Sequence, residues 1–364
     1  MLNSEKQIQT SGANSLLIQA HTINYGIDEK RIREIFDESY IQIRKDLTNE
    51  AKDCAKKRVK KLESLLLEKC KKMEDIMQCF ADPGFQFLLS DAQRAAAITE
   101  RESDYELICE LLSCRMTKGK NRKIRASITN IIKMIDQIDD DALCALTLVN
   151  VIQHISVHHA SCKNGIKMYD SIFTRLLYHP LPKSSDWIDH LEILGAIRIN
   201  SLKATPKFLD VYGYVTPWFF TPGINTQSDN FKKAIELLTR VKITPTFLVK
   251  NDFLPNFVKL PILAKEDLKT NAVKFLRGQD DPLAEEDIEC LAQIMDLYDK
   301  SPDHSQVMKE AFIHEWDSYP SLKTIHNWWD GIKLGFDMTH IGRTLAHVNA
   351  QRCAPEIPDL PLPQ

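Results

Sequence analysis

Apolar residues recur three and four positions apart over most of this 364-residue chain, and nothing else narrows its fold so far. Ile32, Ile35, Phe36, Tyr40, Ile43 and Leu47 share one helical face from Asp28 onward. Ala55, Val59, Leu62, Leu66, Cys70, Met73 and Met77 do the same for a longer helix over about 48–79, which Asp82-Pro83-Gly84 stops. A helix follows from Phe85 to about Ile98, and Ser103-Asp104-Tyr105-Glu106 reads as a capping box for the helix carrying Leu107, Ile108, Leu111 and Leu112. Ile128, Ile131, Ile132, Ile135 and Ile138 keep the period, and Asp139-Asp140-Asp141 opens a helix through Leu148 to Ile155. Glycine is scarce, 12 residues where about 7% is usual, which disfavours glycine-rich sandwiches and phosphate-cradling loops. The expected class is mainly α and multi-helical.

Elsewhere the grammar changes. Ser11-Gly12-Ala13-Asn14-Ser15 is turn chemistry, residues 15–23 are strand chemistry, and Asn24-Tyr25-Gly26 closes the segment. Trp187 to Leu194 reads as a helix ending at Gly195, followed by the alternating Ala196-Ile197-Arg198-Ile199. A similar helix–strand–helix unit runs from Leu322 through Leu334-Gly335-Phe336-Asp337-Met338 to Arg352. These pieces of the C-terminal half look like small winged-helix fragments of α+β type, while Val211 to Gly223 suggests a short hairpin. The expected organisation is an N-terminal β segment over 1–26, an all-helical domain over 27–165, a mainly helical domain over 166–354, and a proline-rich tail over 355–364.

Three stretches together resemble the LPO/Vpar-type bacterial proteins. They are Ser11-Gly12-x-Asn14-Ser15-x-x-Ile18-Gln19-Ala20, then Asp82-Pro83-x-Phe85-Gln86-x-x-Leu89-x-x-Ala92-Gln93, then Thr339-x-x-Gly342-x-x-Leu345-Ala346. The chain departs from the opening pattern at Ala13 and Leu16-Leu17, and its tail lacks an aromatic ending. The resemblance implies proximity to anti-phage or immunity genes and supplies no catalytic residue.

Charge selects no partner, since 47 basic and 50 acidic residues leave a net charge of −3. Nine scattered cysteines, none in a Cys-x-x-Cys pair, read as reduced thiols. With no basic-then-apolar leader and no run approaching about 18 apolar residues, the expectation is a cytoplasmic protein with no membrane partner. The chain has no Walker loop, dinucleotide fingerprint, nucleophile elbow or His-Glu-x-x-His, so neither a catalytic set nor a cofactor is expected. His154 and His158 stand one helical turn apart beside His159 and Cys162, a spacing that can hold zinc, but nothing completes the set and no metal is expected. Arg175 with His179 and Arg343 with His347 are too weakly supported for ribonuclease pairs. The aromatic run from Tyr212 to Phe220 and the pair Trp328-Trp329 read as core rather than as base-stacking platforms.

Two features stay open at the level of sequence. Lys57, Lys60, Lys61 and Lys72 belong to a locally basic helix that either tracks phosphates weakly, in a salt-sensitive manner, or is a solvated face. The N-terminal strand has no evident partner nearby, and an isolated strand leaves its backbone groups unmet. Asn14, Leu16, Leu17, Ile18 and Gln19 are then candidates for pairing with other copies, against a disordered tail or pairing within the chain. The expected function is a non-enzymatic, self-associating scaffold, sensor or adaptor in bacterial anti-phage defence, forming homo-oligomers and engaging a protein encoded in a defence operon. A nucleic-acid-binding regulator is the alternative and a cryptic helical nuclease a third.

Overall fold

A computed structural model describes residues 29–43, 48–73, 77–269 and 284–359. The strand assigned to Asn14, Leu16, Leu17, Ile18 and Gln19 lies outside the described residues, as does the tail beyond Asp359. The described residues form fifteen α-helices and five short strands, so the fold is mainly α.

The first helices are α1 (Glu29–Ile43), α2 (Asn49–Cys70), α3 (Met77–Ala81), α4 (Pro83–Ile98), α5 (Glu102–Lys118), α6 (Arg122–Met134), α7 (Asp140–His154) and α8 (Cys162–Leu176). The single helix expected over 48–79 ends at Cys70, where Lys72 N–H bonds Lys69 and Met73 N–H bonds Cys70 in tighter three-residue turns. Asp82 starts α4 by accepting from the N–H groups of Gly84 and Phe85, with Pro83 in the first turn. The expected capping box does not form. Helix α5 begins two residues earlier, with Arg101 at the N-cap, and buried Asp104 is taken up by the Thr99 hydroxyl and the Arg101 guanidinium. Every residue of α7 from Ala142 to Ile152 is buried, the signature of a helix surrounded by others.

After α9 (Asp186–Ile193) comes β1 (Ile197–Ile199), then α10 (Phe208–Val215), β2 (Ile224–Asn225), α11 (Asp229–Arg240), β3 (Val249–Lys250), β4 (Phe257–Lys259), α12 (Glu285–Asp296), α13 (Pro302–Trp316), α14 (Pro320–Gly331), β5 (Phe336–Met338) and α15 (His340–Cys353). The two helix–strand units meet: β1 pairs antiparallel with β5, Ile197 opposite Met338 and Ile199 opposite Phe336. Thr339 fastens the junction, its hydroxyl donating to the Gly195 and Ala196 carbonyls while accepting from Gly342 N–H. A second sheet has the order β2-β4-β3.

Instead of the hairpin expected over 211–223 there is α10 followed by a 3-10 turn over Pro217–Phe220. Phe208, Val211 and Tyr212 fall three and four apart, so their burial is satisfied on one helical face. Tyr212 and Phe219 are fully buried with Tyr169, Phe173, Phe312 and Trp316, whereas Trp218 and Phe220 are half-buried and Tyr214 is exposed, so only part of the expected core run is core. One apolar cluster extends from Ile32 to Ile357 and a smaller one joins α11 and α12. Helix α15 packs on α5, α6 and α7, where Asn349 donates to the Thr147 hydroxyl at 2.9 Å and the Tyr178 hydroxyl at 3.0 Å. The start of the tail is held down by Arg175 on Glu356 and Lys118 on Asp359.

Candidate ligand cleft

A cleft of about 860 Å³ opens between the segment 180–188 and the C-terminal end of α14 with its following turn. Successive helical residues point about 100° apart, so the adjacent tryptophans of α14 separate. Trp329 enters the core and donates to the Pro206 carbonyl at 2.8 Å, whereas half-buried Trp328 faces the cleft and donates to the Pro182 carbonyl at 3.2 Å. Trp187, in the first turn of α9, lies 5.8 Å from Trp328 between ring centres and meets Phe336 edge-on. With Pro180, Leu181, Ile188 and Ile332 these rings form an apolar wall.

The polar part of the lining is one-sided. Ser184, Ser185, Thr324 and Asn327 offer hydroxyl and amide groups, and Lys183 and Lys333 are its only charges. Both lysines are exposed, and neither has an ion-pair partner among the described residues. The lining contains no His, Cys, Asp or Glu, so no carboxylate, imidazole or thiol faces the space. An aromatic wall beside uncompensated cations suits an anion with a flat apolar body.

The sequence-derived candidates lie elsewhere. Helix α7 ends at His154 and the chain turns extended at Ile155, so His154 and His158 do not share a helical face. The cause is Tyr169, whose hydroxyl accepts from Val157 N–H and donates to the Ile155 carbonyl. His154 bonds the Asn150 carbonyl, His158 the Ser156 hydroxyl, and His159 accepts from Ser161 N–H. Cys162 is buried and its thiol pKa is pushed up by desolvation. Among the described residues no three metal-ligating side chains converge. Arg175 is paired with Glu356, and α8 ends before His179. Arg343 and His347 share α15, where burial, then Lys118, push the His347 pKa down to about 4.

On the basic helix Lys57 and Lys60 are exposed and Lys61 pairs with Glu102, while Lys72, expected on the same helix, is exposed in the turn beyond its end at Cys70. Neighbouring cations are also compensated: Arg58 binds Glu100 and the carbonyls of Ala97 and Ile98, Lys69 binds Glu110, and Lys71 binds Glu29. The face is therefore less positive than the sequence of α2 suggests.

A protein-family model described only as ":-like" matches residues 26–361. The chain belongs to that uncharacterised family. No curated protein and no solved structure matches it. Among the described residues no helix is long and apolar enough to cross a membrane.

Proposed function

We propose that the protein is a non-enzymatic sensor or adaptor that takes a small anion with a planar apolar body in the Trp187–Trp328 cleft. The observation that carries this reading is the composition of the lining: two indoles, two lysines and no carboxylate. Stacking on the rings supplies affinity and the lysines select the charge. Adenosine monophosphate is a suitable probe and adenosine its uncharged counterpart. The nucleotide quenches tryptophan fluorescence, and Trp328→Ala or the pair Lys183→Glu with Lys333→Glu weakens that response roughly tenfold or more. An equal response to adenosine, or none to the nucleotide, overturns the reading.

Self-association is supported by the sequence of residues 11–26 alone. In light scattering, Ile18→Pro lowers the mass of the particle and Ile18→Ala leaves it unchanged, because only proline removes a backbone donor. An unchanged mass for Ile18→Pro removes this part of the proposal.

A further inference from the structure

Strand β4 carries a lysine where its neighbours are apolar. Phe257 and Lys259 lie two apart on the same face of the strand, both turned inward, and Lys259 is only 6% exposed. Its ammonium donates to the Trp218 carbonyl at 2.9 Å and has no carboxylate within ion-pair distance among the described residues. The acid nearest in influence, Asp252, already accepts from the Ser161 hydroxyl and Lys163 N–H. A buried ammonium with one neutral acceptor leaves two N–H groups unmet, an arrangement costly to keep without a ligand or water.

A cavity of about 170 Å³ lies against this lysine, separate from the tryptophan cleft. Leu260, Ile262, Leu263 and Met295 line it, and it carries no carboxylate. One further lining residue has a donor to spare. The Tyr298 hydroxyl oxygen accepts from Leu260 N–H at 2.8 Å, which leaves its own hydrogen without an acceptor among the described residues. The Trp218 indole N–H is also unmet but has almost no accessible surface, so it does not open onto the cavity. The one other cation on the wall, Lys265, is exposed and paired with Asp296. Several unmet donors around an apolar cavity call for a ligand that only accepts, joined to a hydrocarbon body.

The geometry points to a monocarboxylate site at this cavity, in which the carboxylate accepts from the Lys259 ammonium and the Tyr298 hydroxyl while an apolar body lies against Ile262 and Met295. Desolvation lowers the Lys259 pKa, opposed in part by Cys162 and Asp252. A bound carboxylate supplies the counter-charge and holds the lysine protonated.

The test uses benzoate as probe with the full-length protein, and benzyl alcohol and inorganic phosphate as controls, read by calorimetry and thermal shift. Benzoate binds and raises the melting temperature, whereas the two controls do not. Lys259→Met keeps the stem, removes the buried charge and leaves a folded protein, so its loss of benzoate binding by roughly tenfold or more isolates the ammonium. Trp328→Ala, which alters only the separate cleft, leaves benzoate binding unchanged. Retained binding in Lys259→Met overturns the inference, as does loss in Trp328→Ala, which places benzoate in the cleft, or an equal response to benzyl alcohol.

Discussion

The region around α7 and the region around α10, α13 and α14 both bury apolar side chains, but by different means. Around α7 the filling is aliphatic: Leu146, Leu148, Val149 and Ile152 are fully buried, and so are Ile128, Ile131 and Ile132 of α6, which with α7 packs on α15. Such side chains interdigitate densely and bring no polar atoms that need partners. Around α13 the filling is aromatic, with Trp316 within 4.9 Å of Phe208 and 4.8 Å of Tyr212 between ring centres. Rings bring N–H and O–H groups, and the short strands and loops beside them leave space. Charge follows the same division. The groove beside α5 and α15 has Lys69 paired with Glu110 and Lys118 with Asp359, leaving Lys72 exposed on its wall, while the tryptophan cleft holds Lys183 and Lys333 and has no carboxylate in its lining at all. The first region holds the molecule together, and the second leaves chemistry unused.

The sharpest way to break this comparison is to truncate one residue from each region. Leu146→Ala removes a fully buried side chain from the middle of α7 and costs about 2–5 kcal/mol, measured by urea unfolding. Trp328→Ala takes away a larger but half-buried ring at the wall of an existing cleft and costs clearly less. If Trp328→Ala destabilises as much as Leu146→Ala, the cleft is part of the supporting core and the contrast fails.

The next effect concerns the bases each region buries. His347 lies on α15 against the tightly packed region, with Lys118 and His154 lowering its pKa and Asp359 raising it; burial is the largest influence, and the result is about 4 instead of 6.5. The unfolded chain therefore binds a proton that the folded chain refuses between these values, so stability rises with pH across that window. The contribution is fully present above pH 6.5 and is lost progressively as the pH falls toward 4, by on the order of 2–3 kcal/mol. Chemical denaturation at pH 7 and pH 4.5 checks this, and His347→Gln flattens the difference. His154, also lowered by burial, leaves a smaller residual slope of the same sign.

A smaller loss is expected where the two regions touch. Gly165 in α8 faces the Phe219 ring so closely that a β-carbon there would collide with it. Gly165→Ala forces the ring or the helix aside and costs about 1–3 kcal/mol, read as a lowered denaturation midpoint. An unchanged midpoint would show that the aromatic region yields more easily than its packing implies.

These contrasts explain how far the sequence could be read. The isoleucines of α6 and the buried face of α2 follow from a helical period sustained over several turns; Ile128, Ile131 and Ile132 are buried in α6, while Ile135 and Ile138 are buried too but lie beyond its end at Met134, in a 3-10 turn and an extended stretch. The break in α2 at Cys70 is invisible to that period, because Met73 and Met77 continue it. The cleft was harder still. Trp328 and Pro182 meet across 146 residues, and Trp328-Trp329 looks like one core pair until the helix turns its members apart. Lys259 sits in a strand of three residues, too short for alternation to declare which face is buried. Only the phenylalanine two positions earlier hints that this lysine points inward.

The smallest effect tests the comparison from its other side. Gly213 lies within α10 of the aromatic region, and a β-carbon there would have no atom within 4 Å. Its neighbour Tyr214 is 87% exposed, so the residue stands on the outer, uncrowded part of the helix. Glycine in a helix interior leaves the unfolded chain more freedom to lose on folding than alanine does, by about 0.5–1 kcal/mol. Gly213→Ala therefore raises the urea midpoint, with an unchanged slope, whereas the same substitution at Gly165 lowers it. The opposite signs come from one difference, a ring against α8 and open space beside α10. If both variants shift the midpoint downward, α10 is more tightly enclosed than the open space beside Gly213 implies, and the looseness assigned to the aromatic region does not extend to this helix.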